Sequence, residues 1–171
     1  MFHSVICIAR IISKEYNIAM SERIDVTAEY LENAIPGEGS VIIETGYDES
    51  QREVEVKMAK WIHKTFGGNI ILLKETDKVY EGKRADYLWR DRLWELKNTG
   101  SAKSVDSVLR KALKQIRENP GGVIIDFGKS KDSIARIESA ISERIRKSCR
   151  FSIDVMVLKH GKVVKVIRYK K

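Results

Sequence analysis

The chain has 171 residues, 43% of them hydrophobic and 33% charged, and its 32 Lys+Arg against 24 Asp+Glu give a net charge of +8. That length supplies one core of ordinary size, and that composition excludes global disorder. Two cysteines, Cys7 and Cys149, exclude a disulfide framework or a thiolate metal cage, and no apolar run reaches the roughly 18 residues of a membrane helix, so a reduced, cytoplasmic setting is expected.

Val5–Lys14 reads as a short helix or strand and Ile24–Ala34 as a helix, ahead of a clear break at Ile35-Pro36-Gly37-Glu38-Gly39. Residues 1–40 are therefore set apart as an N-terminal appendage. Val41–Glu44 reads as a short edge strand. Asp48 or Ser50 is expected to cap a helix running to about Phe66, with Met58, Ala59, Trp61, Ile62 and Phe66 as its apolar stripe and Gly67-Gly68 as its stop. Glu55 falls on the edge of that stripe, four residues before Ala59, whereas Glu53 points toward solvent.

Short β-type runs follow at Asn69–Glu75, Ala85–Trp89 and Arg92–Asn98, separated by the polar connection Asp77–Lys83 and by Arg90-Asp91. The latter gap is hairpin-length, although neither residue favours positive φ, which leaves the turn type open. A helix is expected from Ser104 to about Glu118, halted by Asn119-Pro120-Gly121-Gly122. Val123–Phe127 reads as a central strand, Lys131–Lys147 as a helix, and Phe151–Lys159 with Lys162–Tyr169 as a hairpin across His160-Gly161. The order after the break is α-β-β-β-α-β-α-β-β, a mixed α/β domain with helices against a central sheet.

Charge is divided along the chain. Residues 1–100 carry a net of −3 and residues 101–171 a net of +11. Such a division fits carboxylates gathered at a metal in one half and a face for a polyanion in the other, or simply a lysine-rich surface.

The chemistry-bearing segment is Asp86 to Lys97. On a strand, Glu95 and Lys97 project from one face, and a hairpin at Arg90-Asp91 brings Asp86 to the same end. Phosphodiester hydrolysis calls for this set. Mg²⁺ or another divalent cation such as Mn²⁺ takes one or two carboxylates, here Asp86 and Glu95, with the Leu96 carbonyl as a further ligand, and the rest from water and phosphate. Lys97 would orient or deprotonate the attacking water. Glu75 is a further ligand, a group that holds Lys97 in place, or an ordinary strand-end carboxylate. Lys111 and Lys114 suit phosphate contact, as do the cations of the C-terminal hairpin. Trp61, Trp89 and Trp94 fall on core-facing positions. His3, His63 and His160 have no spacing suited to a metal or to paired acid–base chemistry.

The order of a helix with Glu55, a strand, a strand with Asp86, a strand with Glu95-Leu96-Lys97, a helix and a strand resembles the PD-(D/E)XK, restriction-endonuclease-like core. The stretch Glu55–Phe127 resembles more specifically the C-terminal tRNA-nuclease domain of contact-dependent growth inhibition toxins (CdiA). The resemblance rests on Ala59-Lys60-Trp61-Ile62, Phe66-Gly67-Gly68, Ile71-Leu72-Leu73-Lys74-Glu75, Ala85-Asp86-Tyr87-Leu88-Trp89 and Leu93-Trp94-Glu95-Leu96-Lys97. It continues through Lys111-Ala112-Leu113-Lys114-Gln115-Ile116 and Pro120-Gly121-Gly122-Val123-Ile124-Ile125-Asp126. Ala85 stands where the proline of the family name would be. The resemblance implies a nuclease domain over residues 41–171, metal-dependent cleavage of tRNA, Glu55 joining the metal site, Gln115 near the scissile group, and a cognate immunity protein as partner. A DNA endonuclease of the same fold and a non-catalytic nucleic-acid-binding protein of a mobile element remain the alternatives.

Overall fold

The computed structural model describes residues 22–75 and 84–171. Its elements, in chain order, are β1 (Glu22–Asp25), α1 (Thr27–Glu32), β2 (Val41–Ile43), α2 (Glu53–Phe66), β3 (Ile70–Leu72), β4 (Tyr87–Trp89) and β5 (Arg92–Asn98). A 3₁₀ turn (Ala102–Ser104) then leads into α3 (Val105–Ile116), β6 (Pro120–Asp126), α4 (Ile134–Ser148), β7 (Ile153–Lys159) and β8 (Lys162–Lys170). The strands form one sheet in the order β1-β8-β7-β6-β5-β4-β3-β2. β5, β6 and β7 are mutually parallel, while β4 and β8 run against their neighbours.

The apolar runs of β6 and β7 are buried on both faces, the pattern that central parallel strands require. Alternation in β5 assigns its two faces. Trp94 and Leu96 enter the core under α1 and α2 with Tyr30, Ala59, Ile62, Phe66 and Trp89. Leu93 packs on the other face, against the core to which α3 contributes Leu109, Ala112 and Ile116 and α4 contributes Ile137, Ile141 and Ile145. Among the described residues the result is a mixed α/β fold, an eight-stranded sheet flanked by helices. Trp89 and Trp94 are core residues as expected, their ring centroids 5.0 Å apart, and Tyr30 packs on both. Among the described residues, no helix is long and apolar enough to cross a membrane.

The structure differs from the sequence expectations at several points. Ile24–Ala34 is not one helix, because Glu22–Asp25 pairs antiparallel with the end of β8. The Asp25 carboxylate then accepts from Thr27 N and Oγ1 and turns the chain into α1, and Thr27 Oγ1 in turn accepts the Val166 N–H. Residues 22–40, set apart in the sequence as an appendage, thus contribute a strand to the sheet and Tyr30 to the core. Residues 1–21, with the element expected at Val5–Lys14, lie outside the described residues, as do residues 76–83 of the connection before β4.

Asp48 does not cap α2. Its Oδ1 accepts from Ser50 N, Ser50 Oγ and Gln51 N, closing a turn ahead of a helix that starts at Glu53. β6 begins at Pro120, earlier than Val123, because the Pro-Gly-Gly run both ends α3 and lies against Trp94 as a strand. A Cβ on Gly122 would come within 2.5 Å of the Trp94 ring and would overlap the Asp154 carbonyl oxygen, so only glycine fits there. The Arg90-Asp91 turn has positive φ at both residues, 52° and 58°, the type I′ arrangement that matches strand twist.

Candidate active site

β4 and β5 pair with Tyr87 opposite Trp94 and Leu88 opposite Leu93. That register brings Asp86, just before β4, to the middle of β5. Its Oδ2 accepts the Leu96 N–H at 2.8 Å. The contact at Leu96 is therefore through its amide, and its side chain is buried on the α1/α2 face.

Glu95 and Lys97 share a face of β5, as the two-residue spacing predicts. Lys97 Nζ donates to Glu95 Oε1 and reaches Gln115 Oε1 at 3.4 Å. Gln115 also donates to the Arg84 carbonyl at 2.9 Å, which fixes its amide between β4 and the lysine. Glu95 is 1% exposed, and its second oxygen, Oε2, is buried with no donor at hydrogen-bond distance among the described residues. Burial, then the negative charge of Asp86, pushes the Glu95 carboxyl up to about 8 against the pull of Lys97 and of the Asp86 backbone N–H. Burial likewise raises the Asp86 carboxyl; the Leu96 amide, Lys97 and Arg52 act against it, and Glu55 acts with it.

The half-buried Glu55 lies at the start of α2, where its backbone carbonyl accepts the Tyr87 hydroxyl at 2.9 Å. Among the described residues, no group of three His, Cys, Asp or Glu side chains closes into a metal cage. Asp86 and Glu95 are thus a carboxylate pair, with Glu55 felt by Asp86 through its charge. This donor set, with an orphaned buried oxygen on Glu95, fits a hard cation that keeps water and phosphate oxygens as its remaining ligands. Mg²⁺ binds in that way.

Glu75 pairs with Arg52, whose other terminal nitrogen stands 3.8 Å from Asp86 Oδ1. Glu75 therefore reaches the site through an arginine that the sequence reading missed. Arg52 also lies over the Tyr47 ring, 5.7 Å from its centroid. A cation at the start of a helix opposes the helix dipole, and that local misfit is the one signal in the sequence that could have singled Arg52 out.

On α3, Lys111 and Lys114 are exposed and have no carboxylate partner among the described residues, one turn and one residue before Gln115. The cations of the C-terminal hairpin are differently placed. Lys165 pairs with Asp25 and Glu138, Arg168 with Asp154 and Glu29, and Lys170 with Glu22, while Lys159 donates to the Asp132 carbonyl. Lys165, Arg168 and Lys170 of the basic tail are thus engaged by Asp25, Glu29 and Glu22 of the acidic half rather than presented to a polyanion.

No family model matches the sequence, and no curated protein matches it. Among solved structures the chain is similar to a CdiA-CT/CdiI toxin and immunity complex from Burkholderia pseudomallei. The two are 16% identical with a TM-score of 0.44, over 75% of this chain and 98% of that one. With so loose an overlap, the fold and the site stand on the geometry of this chain alone.

Proposed function

We propose that the chain is a metal-dependent endoribonuclease of restriction-endonuclease-like, PD-(D/E)XK type, acting on tRNA in the cytoplasm. The observation that carries the reading is the convergence of Asp86, Glu95 and Lys97, with Glu95 Oε2 buried and unpartnered. A buried carboxylate oxygen without a donor is costly unless a cation or proton answers it.

In this reading Asp86 and Glu95 hold Mg²⁺, or Mn²⁺, with the Leu96 carbonyl as a third protein oxygen and Glu55 adding negative charge behind Asp86. When bound, the cation neutralises the scissile phosphate and makes a nearby water more acidic. Lys97 orients that water or, as the neutral amine, accepts its proton, and the ammonium stabilises charge that develops on the phosphate. Gln115 holds the lysine toward Glu95, and Arg52 offsets part of the charge on Asp86. Lys111 and Lys114 contact flanking phosphates, which fix the register of the nucleic acid.

The choice of RNA, and of tRNA, rests on the motifs that resemble growth inhibition toxin domains, as does the expectation of a cognate immunity protein. Incubation with total tRNA and with duplex DNA in Mg²⁺ separates the substrates. Discrete tRNA fragments with intact DNA are expected, and cleavage of DNA alone would overturn the assignment.

A further inference from the structure

A cleft of about 320 Å³ opens at the opposite end of β5 from Lys97, where β6 and β7 also begin. Its walls include Tyr30, Arg90, Arg92, Trp94, Gly121 and Arg168. Trp94 and Tyr30 belong to the α1/α2 face, whereas Lys97 reaches Gln115 on α3, so the cleft is separate from the carboxylate pair.

One side of the cleft is electrostatically closed. Arg168 donates to Asp154 and to both oxygens of Glu29, and the Tyr30 hydroxyl donates to Asp154 at 2.7 Å. The other side is not. Arg90 lies over the rings of Trp89 and Tyr30, 4.7 and 5.2 Å from their centroids, and Arg92 donates to the Pro120 carbonyl at 3.2 Å. Neither has a carboxylate partner among the described residues. Trp94 lines the cleft with its Nε1 packed out of solvent against Gly121, where a Cβ would come within 2.5 Å of it. Two guanidinium groups are donors only.

We propose that this cleft binds a phosphate group, held by the exposed guanidinium groups of Arg90 and Arg92. Arginine forks match the tetrahedral oxygens of phosphate, and the volume is of the scale that takes a nucleotide. The source is either a free or terminal phosphate or the backbone of a nucleic acid. The site is independent of the nuclease reading, because its test reads binding and not cleavage.

The full chain is titrated at constant ionic strength with inorganic phosphate, with a 5′-mononucleotide and with a short hydroxyl-ended oligonucleotide, following tryptophan fluorescence against a chloride control. Response to the first two alone identifies a free or terminal phosphate, and response to the oligonucleotide identifies a backbone phosphate. Arg92→Gln is expected to weaken binding roughly tenfold or more. Adding Arg90→Asn, which tolerates the positive φ of that turn, should remove it while the circular dichroism stays unchanged. Lys97→Ala should retain the response to inorganic phosphate. No response beyond chloride, or an unchanged response in both arginine variants, overturns the proposal.

Discussion

Asp86 Oδ2 accepts the Leu96 N–H at 2.8 Å, so the carboxylate beside Glu95 also satisfies the β5 backbone at the point where the short β4 no longer pairs with it. Charge and structure are therefore separable at this residue. Asp86→Asn keeps an acceptor for that N–H, whereas Asp86→Ala leaves a buried donor without one, at a cost of about 1–3 kcal/mol. Both variants are expected to lose cleavage, but only the alanine variant to lose stability by denaturant titration. Equal stability of the two would show that the bond contributes nothing to the fold.

Lys97→Ala is expected to lower cleavage by about 10²- to 10⁴-fold, the usual range for a positioned acid–base group. The fold should persist, since Glu95 can carry a proton once its cation is gone. Gln115→Ala acts only through the lysine and through Arg84, so a smaller loss is expected from the same assay. Wild-type turnover in Lys97→Ala would remove the lysine from the mechanism.

How much of this was legible in the sequence depends on the range over which each feature is decided. The shared face of Glu95 and Lys97 follows from the period of a strand, which is local. The Asp86–Leu96 bond depends on the register of the hairpin, and the approach of Arg52 to Asp86 depends on how α2 docks; neither is written in any short segment. The end of β1, Ile24-Asp25, falls in the stretch whose pattern suggests helix, because its partner, β8, lies at the far end of the chain. The divided charge was legible as composition only. In the fold, Glu22, Asp25 and Glu29 of the acidic half meet Lys170, Lys165 and Arg168 of the basic half.

The Pro-Gly-Gly run was legible as a helix stop, but its second purpose was not. A side chain at position 122 meets Trp94 and the β7 backbone. Gly122→Ala is expected to destabilise by about 1–3 kcal/mol through overpacking, measured as a shift in the denaturant midpoint. A neutral substitution would mean that Trp94 can move away from β6.

Asp25 gives a pH dependence whose sign is fixed. Hydrogen bonds from Lys165, then from Thr27, lower its carboxyl from 3.8 to about 2. A lowered acid stabilises the fold at pH above its unfolded value, and that contribution disappears as pH falls through about 2. Asp25→Asn should therefore melt below the wild type near neutral pH, with the gap closing as the pH approaches 2. A gap that persists at that acidity would show that the carboxylate charge is not what ties β1 to β8.

The central claim is that Asp86 and Glu95 hold a divalent cation for phosphodiester cleavage. Its most direct test is total tRNA incubated with wild-type protein and with Glu95→Gln, each in Mg²⁺ and in EDTA. Glu95→Gln keeps the size of the buried side chain and removes its charge. The account expects cleavage only by the wild type in Mg²⁺. Undiminished cleavage in EDTA, or by Glu95→Gln in Mg²⁺, would contradict it.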